Sequence, residues 1–171
     1  MMTIPIGPGN SKRQAWFMRN FGTTAVHILP SYALRLYHSM KEDGLDPKKD
    51  LKLRIFFIGA EPHTEEMRRE IQELYGVKAF NSYGLSEISG PGVAFECPQQ
   101  NGMHIWEDFV IPEIINPDTL EVLPDGEEGE LVLTAVNRRA MPLIRYRTRD
   151  LTRIMTQPCL CGRTHRKIAR I

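Results

Sequence analysis

Apolar positions in the first half of the chain follow two spacings, one typical of short buried strands and one typical of amphipathic helices. Strands are predicted over 3–6, 25–29, 54–59 and 77–81, and helices over 11–21, 31–42 and 64–75. Strands separated by helices of this length predict a parallel sheet with right-handed crossovers. Because ligands of such sheets gather at the carboxyl ends of the strands, we expect a site in the segments after Gly59 and Asn81.

The helical spacing disappears after Tyr83, and the second half has the alternation of antiparallel strands. Strands are predicted over 104–106, 109–116, 129–136 and 143–154. Turn residues at 116–118 and 124–126 separate them, as in hairpins. We therefore predict an α/β fold in two parts. Residues 1–90 form a parallel α/β subdomain, and residues 91–171 form a small antiparallel β subdomain.

Charge and composition exclude several classes of partner. The 22 Lys and Arg residues against 21 Asp and Glu residues leave a net charge of +1, which disfavours nucleic acid and anionic membranes as ligands. Apolar runs fall far short of the roughly 20 residues that cross a bilayer. The N-terminal segment lacks the pattern of a secretory signal, and an odd number of cysteines argues against a disulfide framework. We expect a cytoplasmic protein with reduced or metal-bound thiols.

One short segment concentrates chemistry that suits a nucleotide. Residues 81–87 read Asn-Ser-Tyr-Gly-Leu-Ser-Glu and lead into the Gly-rich segment 89–92, which is predicted to be a loop. They offer an aromatic ring for a base, a hydroxyl for a phosphate oxygen and a carboxylate for a hard cation. Local chemistry alone leaves a plain surface turn open as the alternative.

Three motifs in order along the chain resemble those of the adenylate-forming enzymes. Residues 83–87 are similar to that superfamily's aromatic-Gly-x-Ser/Thr-Glu motif, 129–131 to its Gly-Glu-Leu motif, and 146–150 to its Tyr-Arg-Thr-x-Asp motif. Within the superfamily, residues 57–62, 83–92, 105–108 and 144–150 resemble phenylacetate-CoA ligases. The likeness runs over nearly the whole chain. It implies that the chain is an internal part of the large N-terminal domain of such an enzyme.

The resemblance implies a role for each matched residue. Tyr83 would lie against the adenine or the acyl group, Asn81 would bond the adenine amino edge, and Gly84 would belong to the same nucleotide-binding segment. Ser86 would meet the α-phosphate, Glu87 would hold Mg²⁺, and both would act in catalysis. Asp150 would accept hydrogen bonds from the ribose, and Gly59, Ala60, Glu61 and Pro62 would line the adenine and acyl pocket. Charge that builds on the phosphate oxygens during acyl adenylation needs such a metal and preorganised donors.

The implied activity is that of an acid-thiol ligase. The full-length enzyme would activate an aryl acid, phenylacetate or a near relative, as its acyl-AMP and transfer the acyl group to CoA, a reaction of aromatic acid catabolism. ATP, Mg²⁺ and CoA are the implied co-substrates. Two alternatives stay open: a ligase for a different acid such as benzoate, and a non-enzymatic, zinc-stabilised nucleotide-binding remnant. The sequence does not determine the oligomeric state, and a homodimer is one of the possibilities.

Two further parts of such enzymes have no counterpart in these residues. No segment resembles the Ser/Thr/Gly-rich phosphate loop, and no hinge with a mobile, lysine-bearing domain is found. The loop fixes the outer phosphates and the lysine offsets charge in the transition state, so both contribute strongly to the rate. We therefore expect these 171 residues alone to be inactive as a ligase.

A second candidate site uses every cysteine of the chain. Cys97, His104, Cys159 and Cys161 provide three thiols and one imidazole, a complete tetrahedral shell for a structural Zn²⁺. They flank the first and last predicted strands of the β subdomain. The alternative is that Cys97 is a small buried hydrophobe and that Cys159 and Cys161 are an exposed, incidental pair.

Overall fold

The computed structural model describes residues 2–7, 9–88 and 90–171. The chain divides into two units, the first ending at Ala79 and the second spanning Phe80–Ile171. Each unit has its own hydrophobic core, which centres on side chains such as Leu36 and Phe56 in the first and Ile105 and Leu131 in the second. Within the described residues, no helix is long and apolar enough to cross a membrane.

The first unit contains the predicted alternation of helices and strands. Its elements are α1 (Ser11–Asn20), β1 (Ala25–Ile28), α2 (Pro30–Glu42), α3 (Pro47–Asp50), β2 (Ile55–Gly59) and α4 (Glu65–Tyr75). β1 and β2 pair in parallel, with His27 opposite Phe57, as the sequence predicted. The one-turn helix α3 was not predicted.

The strand predicted over 3–6 is wrong, because these residues have no regular secondary structure. Pro5 lies inside the run and cannot donate a hydrogen bond to a neighbouring strand. The run is also short and mostly exposed, so it gains little from burial.

Helix α4 shows how local sequence and packing agree in this unit. Its N-cap Thr64 accepts a hydrogen bond from the Met67 amide, and Gly76 ends the helix in the left-handed conformation. Its apolar face buries Ile71 and Tyr75 in the first core. The Tyr75 hydroxyl also donates to the Ala33 carbonyl at 2.7 Å, which ties α4 to α2. The helix therefore fixes the segment between itself and β2.

The second unit is built from antiparallel strands. Its elements are β3 (Lys78–Leu85), of which the first two residues belong to the first unit, a 3₁₀ turn (Ser86–Ile88), β4 (Gly90–Glu96), β5 (Met103–Ile105), β6 (Val110–Ile115), β7 (Gly129–Ala135), β8 (Tyr146–Thr152), β9 (Ile154–Met155) and β10 (Lys167–Ile168). One sheet carries the order β3-β4-β5-β10-β9, and β6-β7-β8 form a second sheet of three strands. The predicted antiparallel hairpins are confirmed in the second sheet.

The structure corrects the prediction around the motif 81–87. The strand predicted to end at 81 continues to Leu85, and the Gly-rich segment begins a new strand, β4, rather than forming a loop. Ser89 lies outside the described residues. Pairing of Ser82 with Phe95 across β3 and β4 offsets the weak strand preference of Asn, Ser and Gly in this segment. The strand predicted over 143–154 is interrupted and forms β8 and β9.

Candidate active site

Tyr83 on β3 and Asp150 on β8 meet in the second unit, although 67 residues separate them along the chain. The Tyr83 hydroxyl donates a hydrogen bond of 2.6 Å to Oδ2 of Asp150. Burial of the ring and the neighbouring carboxylate raise the pKa of Tyr83 well above its ordinary value, so the phenol stays protonated and remains a donor. The structure therefore brings together two residues for which nucleotide contacts were predicted.

Ser86 and Glu87 occupy the 3₁₀ turn that follows β3, and both are exposed. A register shift between Tyr83 and Leu85 interrupts the pairing of β3 with β4, and Gly84 lies at this irregularity. Such bulges re-aim the following side chains. The backbone carbonyl of Glu87 accepts a hydrogen bond from the Arg138 guanidinium, which holds the turn in place. A hydroxyl and a carboxylate side by side in solvent suit a phosphate oxygen and a hard cation.

A second bulge sets the direction of Asp150. The pairing of β7 with β8 shifts between Glu130 and Val132, and Arg149 has a left-handed φ of 70°. The Thr148 hydroxyl donates to the Leu131 carbonyl at 2.8 Å and accepts from the Asp150 amide at 3.1 Å. The irregular backbone is therefore held by a side chain of the same motif.

Glu130 fixes this bulge from the opposite strand. Its side chain is only 2% exposed. The carboxylate accepts hydrogen bonds from the Arg147 guanidinium at 3.0 and 2.5 Å and from the Arg149 amide at 3.2 Å. The paired guanidinium lowers the pKa of Glu130 below its ordinary value. The sequence motif contained Glu130, but its partnership with Arg147 was not predicted.

Asn81 is held by a residue that sequence analysis missed. Its backbone amide and its side-chain amide donate to the two carboxylate oxygens of Glu96, each at 2.8 Å. Asn81 is 4% exposed, so its polar groups need such partners. Glu96 lies at the end of β4, which was not predicted as a strand, so no sequence signal placed it opposite Asn81.

The predicted pocket residues 59–62 lie in the first unit, directly after β2. Gly59 is buried and Ala60 has a left-handed φ of 63°, which is strained for a residue with a Cβ. Ser31 lies at the start of α2. The Glu61 carboxylate accepts two hydrogen bonds from it, one from the Ser31 backbone amide at 2.6 Å and one from the Ser31 hydroxyl at 3.0 Å. Pro62 is exposed. The segment is therefore an anchored turn, with its acidic side chain engaged by a helix N-terminus.

The four cysteine and histidine side chains of the second candidate site cluster in the second unit. The ligand atoms of Cys97, His104, Cys159 and Cys161 all lie within 4.8 Å of one another. The Cys97 and Cys159 sulfurs are 3.6 Å apart, and the Cys161 sulfur is 3.4 Å from Nε2 of His104. Ligands around a tetrahedral zinc ion are about 3.5–3.8 Å apart. Two of the distances between ligand atoms are therefore close to those of a tetrahedral zinc shell.

Protonation in this cluster also suits a metal. Nδ1 of His104 lies 3.2 Å from the His165 carbonyl, which can only accept, so this nitrogen carries the proton and Nε2 faces the thiols as an acceptor. The backbone amide of Arg163 lowers the pKa of the Cys161 thiol to about 6, whereas burial raises the pKa of Cys97. The lowered pKa of Cys161 favours its thiolate, which is the form that binds a metal.

Comparison with known proteins shows the family of the chain. A family model described as AMP-binding enzyme matches residues 2–137. The chain therefore belongs to the AMP-binding enzyme family.

The curated proteins that the chain resembles include phenylacetate-coenzyme A ligases. The chain is 50% identical to the one from Pseudomonas putida over 153 residues, which are 89% of the chain and 35% of that protein. It is 43% identical to the one from Escherichia coli (strain K12) over 169 residues, 98% of the chain and 38% of that protein. The chain thus spans little more than a third of the length of these curated relatives.

The fold is shared with a solved ligase. A crystal structure of 2-hydroxyisobutyryl-CoA ligase in an open conformation, in complex with 2-HIB-AMP and CoA, superposes with a TM-score of 0.87 at 28% identity. The match covers 96% of this chain and 37% of that one. The predicted adenylate-forming fold is confirmed by this likeness.

Proposed function

We propose that the full-length protein containing this chain is an AMP-forming ligase that activates an aryl acid, phenylacetate or a near relative, and transfers the acyl group to CoA. The contact between Tyr83 and Asp150 is the observation that carries the proposal, because it unites two separate motifs at one place. Identities of 43–50% to phenylacetate-coenzyme A ligases support the choice of acid.

The reaction has two steps. In the first, a carboxylate oxygen of the acid attacks the α-phosphorus of ATP, the new P–O bond forms and pyrophosphate leaves. In the second, the sulfur of CoA attacks the acyl carbon, its proton is lost and AMP leaves. The residues of the second unit serve the first step, in which negative charge grows on the phosphate oxygens.

The role proposed for each residue is the one that the resemblance to adenylate-forming enzymes implies. The Ser86 hydroxyl would donate to an α-phosphate oxygen, and the Glu87 carboxylate would hold Mg²⁺ beside it. Asp150 would accept from the ribose hydroxyls through the oxygen that Tyr83 does not occupy. Asn81 and Gly84 would complete the base-binding side, and residues 59–62 would line the acyl and adenine pocket. Mg²⁺, when bound, would neutralise charge on the phosphates.

The test is a substrate panel with the full-length protein. We expect AMP and pyrophosphate, not ADP, with phenylacetate, ATP and CoA, and weaker turnover with benzoate and short aliphatic acids. If the protein prefers benzoate, the assigned acid is wrong but the proposed two-step ligase reaction still holds. AMP binding without turnover of any acid would contradict the proposal and favour the non-enzymatic alternative. The 171-residue chain alone is expected to release no AMP above background.

We further propose that Cys97, His104, Cys159 and Cys161 bind a structural Zn²⁺. Four protein ligands of this softness leave no open position for water or substrate, so the ion would have no catalytic role. It would fasten the segment after β4 to the segment between β9 and β10. Metal analysis of the purified protein should give one zinc per chain. Less than about a tenth of an equivalent would remove the proposal. Reduced, metal-binding thiols also support a cytoplasmic location.

A further inference from the structure

Asn81 and Glu96 form a two-point contact across β3 and β4. The Asn81 backbone amide donates to one carboxylate oxygen and the side-chain Nδ2 donates to the other, both at 2.8 Å. Residues i and i+2 of a strand face the same side, so Asn81 shares the face of β3 that carries Tyr83. A purine against the Tyr83 ring would therefore lie on the same face of β3 as the Asn81 side chain.

The contact decides which end of the Asn81 amide faces which way. A carboxylate is an acceptor only, whereas the two arms of an amide are a donor and an acceptor. Glu96 must therefore be met by the NH₂ arm. The carbonyl arm, which diverges from it, points away from Glu96. The carboxylate thus removes the rotational ambiguity of the Asn81 side chain.

We propose that Glu96 is a positioning residue that sets purine selectivity by presenting Oδ1 of Asn81, an acceptor, to position 6 of the base. A 6-amino group donates to this oxygen and is favoured, whereas a 6-oxo group meets it acceptor to acceptor and is rejected. This inference rests on the proposed function, because it requires that Asn81 contacts the base.

Replacing Glu96 by Gln reverses the arrangement. The Asn81 backbone amide still needs an acceptor, which Oε1 of Gln supplies. The Gln NH₂ arm then faces the Asn81 side chain, so that Asn81 must turn its carbonyl toward Gln and its NH₂ toward the base. That amide can donate to a 6-oxo purine. The change is nearly isosteric, which keeps packing constant.

The experiment compares ATP with ITP as the nucleotide in the full-length ligase. We expect the wild-type protein to prefer ATP in kcat/KM, and Glu96→Gln to reduce the ATP:ITP ratio by at least about tenfold. Glu127→Gln, which removes the same charge from an exposed position, should keep the wild-type ratio. A Glu96→Gln protein that is folded and active but retains that ratio would overturn the inference.

Measurements on the wild-type protein distinguish failure of this inference from failure of the proposed function. If Glu96→Gln does not fold, kcat/KM of the wild-type protein is measured with ATP, purine riboside triphosphate and ITP. The inference requires kcat/KM to fall in that order. Equal use of ATP and ITP would reject it. If the wild-type protein turns over no acid with any nucleotide, the proposed function fails instead. If wild-type turnover depends on ATP and Glu96→Gln keeps the selectivity, only the role of Glu96 is lost.

Discussion

The hydroxyl of Tyr83 lies 2.6 Å from Oδ2 of Asp150, so a single hydrogen bond joins the first and last of the three motifs. The phenol occupies one oxygen of the carboxylate and thereby fixes the plane of the other. A carboxylate held in this way is preorganised to accept from a ribose diol, because its rotation is not lost on binding. The same contact allows the role of Tyr83 to be separated from simple stacking on a base.

Tyr83→Phe should keep the aromatic face and remove only the hydroxyl. Hydrogen bonds to charged groups contribute about 1.5–3 kcal/mol, so we expect KM for ATP to rise about tenfold or more with little change in kcat. With 2′,3′-dideoxy-ATP the two proteins should behave alike, because no ribose hydroxyl remains for Asp150. Tyr32→Phe, which removes a hydroxyl paired with Ser11, is the matched control. Unchanged kinetics with both nucleotides would assign Tyr83 to stacking alone, and an equal loss with both would show that its hydroxyl acts independently of the ribose.

The metal site predicts a difference between two neighbouring substitutions. Cys159→Ser removes one proposed ligand, whereas Leu160→Ser alters a side chain that is 91% exposed. We expect Cys159→Ser to lose zinc and to lower the midpoint of thermal unfolding by several degrees, while Leu160→Ser keeps both. A chelator should lower the midpoint of the wild-type protein and leave Cys159→Ser unchanged. Full zinc content in Cys159→Ser would contradict the assignment.

Glu130 predicts a pH-dependent contribution to stability. Hydrogen bonds from Arg147 lower its pKa below the ordinary value of 4.5, so the ionised form stabilises the folded state. This contribution is complete above about pH 4.5 and is lost as pH falls through the lower, folded-state pKa. Glu130→Gln should therefore lower the unfolding midpoint at pH 6, with a difference from wild type that shrinks as the solution is acidified. The exposed neighbour Glu128→Gln should show no such trend, and a pH-independent difference would argue for packing alone.

Ala60 predicts a backbone effect in the first unit. A left-handed φ of 63° is tolerated by Gly and strained for a β-branched side chain. Ala60→Val should destabilise the protein by about 1–2 kcal/mol, whereas Ala60→Gly should be near neutral. Ala25→Val, at an exposed strand position, should cost nothing, since β-branched residues favour strands. Unfolding midpoints compare the three, and a neutral Ala60→Val would show that the turn relaxes.

The sequence by itself predicted the main helices and strands of the first unit, apart from α3 and the wrong strand over 3–6, and it named the residues proposed for both candidate sites. Apolar spacing and the caps of helices such as α4 depend only on residues close together in the sequence, so a short segment is enough to predict them. The order of the motifs likewise identified Tyr83 and Asp150 as members of one family pattern. The choice of Cys97, His104, Cys159 and Cys161 followed from ligand chemistry, which needs no coordinates.

Only the tertiary structure decided how distant residues pair. β4 was missed because its Gly-rich start reads locally as a loop, and its strand conformation depends on hydrogen bonds to β3. Because β4 was not predicted, Glu96 could not be placed beside Asn81. The pairing of Arg147 with Glu130 likewise required the register of β7 and β8. Such pairings depend on cross-strand register, which arises from contacts far apart along the chain and is not encoded in any one segment.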